Sequence, residues 1–478
     1  MFQKNRILST TNAFSQRSLD RWRISPSITK NRREYENNAR RRLTSCSDVA
    51  RFVPPNKSKP RKKWHEPYFM DSATPEDKDY WLESLIKTDE EVDAEAFHVV
   101  LDAWSYSDCS GSPQKTEYWI SKMEDFHREK VISYFDPNKD DSNIRMLTLY
   151  SSIQPTIQSY NSVLRAWSNS KDEVSVVRGA RWFNKLQDIS ETLSGDKGKN
   201  DVKNVIVEQI SKSDGTSDSV LAGPNTESFS LFLKICSRGQ SKKKDIRFSN
   251  AMRAQTLLKI MKETHETSKN HHLVPNTECF NYVLTAWTKC NKDPSVGERV
   301  MELLREMETY QRNEDDPSQS KIRPNTASYT NALNAWGIVA AIKARQYNMK
   351  MKTNFETDIQ KEYTPQDSKN ALNGYDELLK AEAILSYMNE LHSAGHQEVM
   401  PDTTAYNCLL KGWANISNET NKGAPLRAER VFRDMLEHQY DMSLNIEPDY
   451  ISYSTVSFVT FRCQSVVTRH KSKRAPIN

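Results

Sequence analysis

The chain has 478 residues, of which 36% are hydrophobic and 27% are charged, and its formal net charge is +5. It contains no run of about 18 apolar residues, which excludes a membrane-spanning helix of ordinary length. Its seven cysteines form no Cys-x-x-Cys pair, and their odd number argues against a secreted disulfide framework. These features favour an intracellular protein with reduced cysteines.

Residues 1–64 form a basic segment, in which Arg and Lys far outnumber the four acids Asp20, Glu34, Glu36 and Asp48. The start of this segment is rich in Arg, Ser and Thr and has no apolar stretch. It is therefore predicted to be an organellar targeting segment rather than a secretory signal, and we favour the mitochondrion over the plastid. The alternative is a disordered basic arm that contacts RNA phosphates.

Residues 65–93 contain Tyr80, Trp81, Leu85 and Ile86, which indicate a short amphipathic helix in a capping position. From residue 94 to residue 478, one short phrase then recurs. Its clearest copy, residues 324–336, runs from Pro-Asn through a spacer, an aromatic residue and a polar residue to Ala-Trp. Other copies lie at 155–167, 275–287 and 401–413, with weaker ones at 93–104, at 224–236 and from 448 onward. Such repetition predicts a repeat architecture.

Each copy of the phrase predicts the start of a helix. Pro followed by Asn, Asp or Thr is typical of a helix N-terminus. Tyr406, Leu409, Leu410 and Trp413 then fall at i, i+3, i+4 and i+7, which makes one apolar stripe. A second amphipathic segment follows, such as residues 427–435, so the unit is a helix pair. One pair cannot bury its stripes alone, and neighbouring pairs must stack into a solenoid.

Tryptophan recurs on the predicted buried stripe. A platform on which bases stack would need exposed rings. Core packing is therefore the prediction for Trp104, Trp167, Trp287, Trp336 and Trp413. Polar composition also predicts a disordered insertion at about residues 190–223. A second insertion is predicted at about residues 340–376, with the alternative that this stretch extends a helix before it loops.

The phrase and its second helix resemble the pentatricopeptide repeat, most closely the P-type, over roughly residues 94–478 with insertions and an incomplete last repeat. The Trp-x-x-Leu-Gly-x-x-Tyr signature of the tetratricopeptide repeat is absent. The resemblance implies an all-α solenoid of stacked helix-turn-helix repeats that forms a right-handed superhelix. It also implies an organellar protein that binds single-stranded RNA, one base per repeat, and acts in RNA processing, stability or translation.

Candidate base-binding residues follow from the register of the first helices. The residue after the aromatic lies about 100° off the apolar stripe and is small and polar. The resemblance pairs it with the Asn or Asp that opens the next unit. Two such side chains can read the edge of one unstacked base. The alternative is that they serve only as helix caps. The pairs are Asn161 with Asn225, Ser230 with Asn276, Asn281 with Asn325, Thr330 with Asp402 and Asn407 with Asp449, and the resemblance implies the bases pyrimidine-A-pyrimidine-G-U.

The charged residues near these positions include bases that favour RNA binding and acids that oppose it. Arg238 and Lys289 are weak candidates for phosphate contact, because they lie just beyond the Trp position of their helices. Glu227 and Glu278 lie two residues before the aromatic, where the resemblance implies an apolar residue. Acids there are poor neighbours for phosphate and weaken the expected affinity for RNA.

No catalytic motif, metal-ligand spacing or Gly-rich phosphate loop is present in the sequence. We therefore expect no enzymatic activity, no cofactor and no metal. The expected partner of this monomeric chain is single-stranded RNA, with other organellar RNA-processing or ribosomal proteins as further partners. The alternative function is a protein-interaction scaffold in an organellar ribonucleoprotein such as a mitoribosome-like assembly.

Overall fold

A computed structural model describes residues 73–88, 92–134, 153–194, 223–239, 241, 243–268, 273–312, 322–356, 373–417, 421, 423–439 and 446–472. The chain separates into two units, Met1–Asp71 and Ser72–Asn478. All described residues belong to the second unit. The basic segment of residues 1–64, with its predicted targeting role, lies outside them.

Helices in the described part of the chain follow one another as pairs, after a single first helix, α1 (Pro75–Lys87). The pairs are α2 (Ala94–Tyr106) with α3 (Ser112–Tyr134), α4 (Ile157–Asn169) with α5 (Ser175–Ser194), α6 (Thr226–Arg238) with α7 (Lys244–Ser268), α8 (Thr277–Thr288) with α9 (Val296–Arg312), α10 (Thr326–Glu356) with α11 (Tyr375–Ser393), and α12 (Thr403–Ile416) with α13 (Ala424–His438). A 3₁₀ turn, Gln397–Val399, precedes α12, and α14 (Tyr450–Ser472) is the last described helix.

The first helices of successive pairs pack directly on one another. The order in this layer is α2, α4, α6, α8, α10, α12 and α14, and each second helix packs both on its own first helix and on the first helix of the next pair. This arrangement confirms the predicted all-α solenoid of stacked helix pairs. The short helix predicted within residues 65–93 is α1, which packs on α2.

The N-termini of the first helices form as the phrase predicts. Asn225, Asn276 and Asp402 are N-cap residues with extended backbones, and each side chain accepts a hydrogen bond from the backbone N–H three residues later. A proline precedes each of them and prevents the helix from extending backwards.

The predicted tryptophan core is confirmed, since Trp104, Trp167, Trp287, Trp336 and Trp413 are each at most 5% exposed. In several cases the indole N–H also donates a hydrogen bond to a polar side chain of the helix that precedes it in the sequence. Trp104 Nε1 donates to Asp79 at 2.6 Å and Trp167 Nε1 donates to Glu117 at 2.9 Å. Trp287 Nε1 donates to Gln255 at 3.1 Å. Burial with a satisfied N–H is typical of a core role.

The sequence prediction of a disordered insertion from about residue 340 is wrong for residues 340–356, which continue α10. This stretch begins with Ala340, Ala341 and Ala344, which favour helix and are buried. Gly374 lies so close to the Ala340 backbone that a Cβ atom would clash there, and its φ is +86°. Residues 190–194 likewise finish α5. The rest of both predicted insertions, residues 195–222 and 357–372, lies outside the described residues.

Each described helix is too short or too polar to cross a bilayer.

We predict that Trp413→Ala lowers the free energy of unfolding by about 3–5 kcal/mol, because it leaves a large cavity between packed helices. Chemical denaturation followed by far-UV circular dichroism measures the change. Tyr450→Ala is the matched control, since Tyr450 is 83% exposed, and it should leave stability almost unchanged. Equal stability of the Trp413 variant and the wild type would contradict the core role.

Candidate nucleic-acid interface

Three junctions between consecutive first helices contain the same cluster of three side chains, which we call the junction triad. It consists of the residue after the aromatic, the N-cap residue of the next first helix and a serine three residues after that cap. The triads are Asn161–Asn225–Ser228, Asn281–Asn325–Ser328 and Asn407–Asp449–Ser452.

The geometry of the triad is clearest between α8 and α10. Asn281 Nδ2 donates to Asn325 Oδ1 at 3.1 Å, and Ser328 Oγ donates to Asn281 Oδ1 at 2.7 Å. The backbone N–H of Ser328 also donates to Asn325 Oδ1, at 3.1 Å. The Asn281 amide therefore bonds one first helix to the cap of the next through both its donor and its acceptor.

The other two triads repeat these contacts. Asn161 Nδ2 donates to Asn225 Oδ1 at 3.3 Å, and Asn161 Oδ1 accepts from Ser228 Oγ at 2.6 Å. Asn407 Nδ2 lies 3.1 Å from Asp449 Oδ1. In the same triad, Ser452 Oγ donates to Asn407 Oδ1 at 2.7 Å. Three of the five residue pairs predicted from the sequence are thus directly hydrogen-bonded across a junction.

In the remaining two predicted pairs, the residue three positions after the N-cap is not a serine. Between α6 and α8 that position is Cys279, whose thiol interacts with the Ser230 hydroxyl, while the Cys279 backbone N–H donates to Asn276 at 3.0 Å. Between α10 and α12 it is Ala405, whose backbone N–H donates to Asp402 at 2.7 Å. The buried Thr330 hydroxyl has no hydrogen-bond partner within the described part of the chain. Both junctions keep the N-cap, but neither has the asparagine amide that bonds to the cap in the three triads.

Two open grooves on the first-helix layer contain these positions, and we call this surface the groove face. The larger, of roughly 820 Å³, crosses α4, α6 and α8 and is lined among others by Asn225, Ser230 and Asn276. The smaller, of roughly 460 Å³, is lined among others by Asn325, Thr330 and Asp402. Two of the five predicted pairs, Ser230–Asn276 and Thr330–Asp402, therefore line solvent-filled space of a size that suits a ligand, and Asn225 and Asn325 contribute one residue each from two further pairs.

We call Arg165, Lys234, Arg238 and Lys289 the basic cluster. Arg165 and Lys234 line the larger groove, and Arg238 lies close enough to affect the pKa of both lysines. Burial lowers the pKa of Lys234, and the neighbouring charge of Arg238 lowers it further. Burial and the charge of Arg238 lower the pKa of Lys289 in the same way. Cations that disfavour one another in this manner would be stabilised by a bound anion. The two predicted phosphate contacts, Arg238 and Lys289, thus lie close enough to share one electrostatic environment.

Carboxylates interrupt this basic cluster. Glu227 and Glu278 both line the larger groove. Glu227 Oε1 accepts from Arg165 Nη2 at 2.5 Å, and its Oε2 accepts from Asn161 Nδ2 at 3.2 Å. Asn161 is only 1% exposed, whereas Asn281 and Asn407 are half-buried. The three triads therefore differ in how open their asparagine is.

Sequence reasoning missed the first junction, between α2 and α4. His98 follows the aromatic Phe97, and its Nε2 lies 2.7 Å from Ser159 Oγ and 3.3 Å from Thr156 Oγ1. Burial lowers the pKa of His98, against the raising effect of Asp102. The alignment of Phe97 with the other aromatic residues was the signal that could have identified it.

No protein-family model matches the chain, and no curated protein matches it either. Among solved structures, two similar ones are the pentatricopeptide repeat protein PPR10 in complex with an 18-nucleotide psaJ RNA element and a triple cysteine-to-serine variant of the same complex. Each shares 13% sequence identity, and the match covers 85% of this chain and 73% of that chain, with a TM-score of 0.14. At this TM-score no residue position is transferred from PPR10 to this chain. Within the described residues, no group of three or more His, Cys, Asp or Glu side chains is placed to hold a metal ion.

We predict that the triad between α8 and α10 stabilises the array. In a double-mutant cycle of Asn281→Ala and Ser328→Ala, the coupling free energy should be about 0.5–3 kcal/mol, because each change leaves the other side chain without its partner. Urea denaturation of the four proteins measures it. Thr330→Val is the control, since it removes a hydroxyl that has no partner, and it should be neutral or stabilising. A coupling free energy of zero would contradict a structural role for the triad.

Proposed function

We propose that the chain is an organellar protein that binds single-stranded RNA on its groove face and acts in RNA processing, stability or translation. The observation that carries the proposal is the regular series of paired polar side chains, one pair at each junction of the first-helix layer. Such pairs suit the recognition of one unstacked base per repeat. On this proposal the repeats are pentatricopeptide repeats of the P-type, the chain binds as a monomer, and other organellar RNA-processing or ribosomal proteins are its further partners.

Electrostatics supports the same surface. The basic cluster lies beside the larger groove and is positioned for phosphates, which supply much of the affinity of proteins for nucleic acid. The polar pairs lie in and beside the same space. Phosphate contacts along one side and base edges at the junctions would together hold a single strand.

The individual junctions differ in how they can take part. Among the described residues, Asn281 and Asn407 each donate one hydrogen bond from Nδ2, to Asn325 and Asp449 respectively, so one amide hydrogen of each remains for a ligand. The Thr330 hydroxyl has no partner among the described residues but is screened from solvent. Base reading there requires the Thr330 side chain to rotate toward the groove. We therefore expect Asn281, Thr330 and Asn407 to contribute more to base recognition than Asn161.

The alternative function, a protein-interaction scaffold, is favoured by Glu227 and Glu278, because carboxylates in the groove repel phosphate. On this alternative, the junction triads hold the array together and the groove face binds a protein. The two functions differ in one measurable property, which is base-dependent binding of RNA that weakens as salt rises.

The experiment that tests the proposal rebuilds a missing triad. Thr330→Asn with Ala405→Ser would give an Asn–Asp–Ser cluster like Asn407–Asp449–Ser452. We expect this double variant to be more stable than wild type by about 1 kcal/mol, since a new bridge forms. Its preference at the fourth base of pyrimidine-A-pyrimidine-G-U should move from guanine toward uracil, with a discrimination of about 1–3 kcal/mol.

Fluorescence anisotropy with two RNAs that differ only at that base measures the preference, and Ala405→Ser alone is the control. Equal binding of both RNAs by the wild type and the double variant would mean that the polar column is structural. Absence of RNA binding by every form would leave the scaffold as the better account.

The organellar location is a proposal that rests on the composition of residues 1–64. Fused to a fluorescent reporter, this segment should direct the reporter to mitochondria and be removed there, because its Arg-rich, acid-poor composition is typical of a transit peptide. Microscopy and the mass of the processed reporter measure the two effects. A fusion that stays in the cytosol at full length would contradict the proposal.

A further inference from the structure

Glu227 occupies an unusual place in the larger groove. It lies in the first turn of α6, and its carboxylate reaches across the junction to two side chains of α4. One oxygen accepts from Arg165 Nη2 at 2.5 Å and the other accepts from Asn161 Nδ2 at 3.2 Å. The carboxylate therefore joins a candidate base-reading amide to a member of the basic cluster.

With the Glu227 contact, both amide hydrogens of Asn161 are engaged in hydrogen bonds. Its amide has two hydrogens, and Asn225 and Glu227 accept one each. The residues equivalent to Glu227 at the other two triads are Ala327 and Ile451, which carry no carboxylate. Asn161 is correspondingly 1% exposed. This triad differs from the other two because a side chain of the protein itself fills the position beside the asparagine.

The hydrogen bond to Glu227 also makes the Arg165 guanidinium less available to a ligand. Its side chain is 15% exposed and is also 3.4 Å from Asp102, while its guanidinium lies 4.7 Å from the centroid of the Tyr106 ring. Two carboxylates thus neutralise the cation that lies nearest to Asn161. A phosphate that used the Nη2 donor now bonded to Glu227 would have to replace that carboxylate.

Of the two carboxylates that contact Arg165, Glu227 is the easier to displace. Its side chain is 48% exposed, against 35% for Asp102, and Asp102 is further fixed by a hydrogen bond from Ser162 Oγ at 2.6 Å. An exposed glutamate at a helix start rotates into solvent at low cost, because an exposed ion pair is weak in water. Rotation would free the second amide hydrogen of Asn161 and the Nη2 donor of Arg165 at once.

We propose that Glu227 is an intramolecular competitor of the RNA, whose carboxylate closes Asn161 and Arg165 until it is displaced. This inference rests on the proposed function and names the regulation of the same groove. RNA that binds at the junction between α4 and α6 must therefore displace a carboxylate that is hydrogen-bonded to both Asn161 and Arg165. Binding at this junction then costs the exchange of one carboxylate for a phosphate and a base edge.

The test compares Glu227→Ala with Glu278→Ala in the full chain. Both glutamates lie in the first turn of a first helix, two residues before the aromatic, and both line the larger groove. Glu278 forms no hydrogen bond with the triad asparagines or with Arg165 in the described part of the chain. Alanine is the residue that α10 already has at this position. Comparison of the two variants therefore separates the effect of losing one negative charge from the effect of freeing the Asn161 and Arg165 donors.

The probe is single-stranded oligo(U), bound at several salt concentrations. We expect Glu227→Ala to bind about tenfold more tightly than wild type, and Glu278→Ala to gain threefold or less. The slope of log affinity against log salt should steepen by about 0.7 for Glu227→Ala, because Arg165 gains a phosphate. Circular dichroism confirms that both variants keep their helical content.

Equal gains for the two variants would overturn the inference, because charge alone would then explain them. Weaker binding by Glu227→Ala would also overturn it and would instead make Glu227 a positioning residue for Arg165. Either result leaves the proposed function intact as long as wild type binds oligo(U) in a salt-dependent way. Absence of binding by all three proteins would overturn the proposed function and this inference together.

Discussion

The structure depends on one constraint, which is that no helix pair can bury its own apolar stripe. Most first helices carry an aromatic residue, two aliphatic residues and a tryptophan on one side. These side chains are covered only when the second helix of the preceding pair and the neighbouring first helices close over them. The stability of such an array is therefore a property of its junctions rather than of its single units.

The same constraint creates the candidate site. Because first helices pack directly on one another, the residue after each aromatic faces the N-terminus of the next first helix. A side chain there either caps and bridges the junction or faces a ligand. The asparagines Asn161, Asn281 and Asn407 are suited to both, since an amide donates and accepts at once. On the proposed function, stability and recognition would depend on the same atoms, and the partners of each asparagine would decide how much of it is left for a ligand.

Much of this organisation could be predicted from the sequence. Helix starts followed from Pro and the N-cap residues, and the buried tryptophans followed from the i, i+3, i+4, i+7 spacing, because both depend on residues close together in the chain. The serines of the triads, His98 and the contact of Glu227 with Arg165 were not predicted. Their partners lie about 60 residues away in sequence and meet only through stacking. The sequence left the continuation of α10 to Glu356 open between helix and insertion, because the alanines before Arg345 favour helix whereas the composition beyond it is polar.

The central claim is that the groove face of the first-helix layer binds single-stranded RNA. Ultraviolet crosslinking in cells, followed by sequencing of the RNA and mass spectrometry of the crosslinked peptides, tests it most directly. The account predicts a restricted set of organellar RNA sequences and crosslinks that map to α4, α6, α8, α10 and α12 on the groove face. Absence of crosslinked RNA, or crosslinks confined to the second helices, would contradict it.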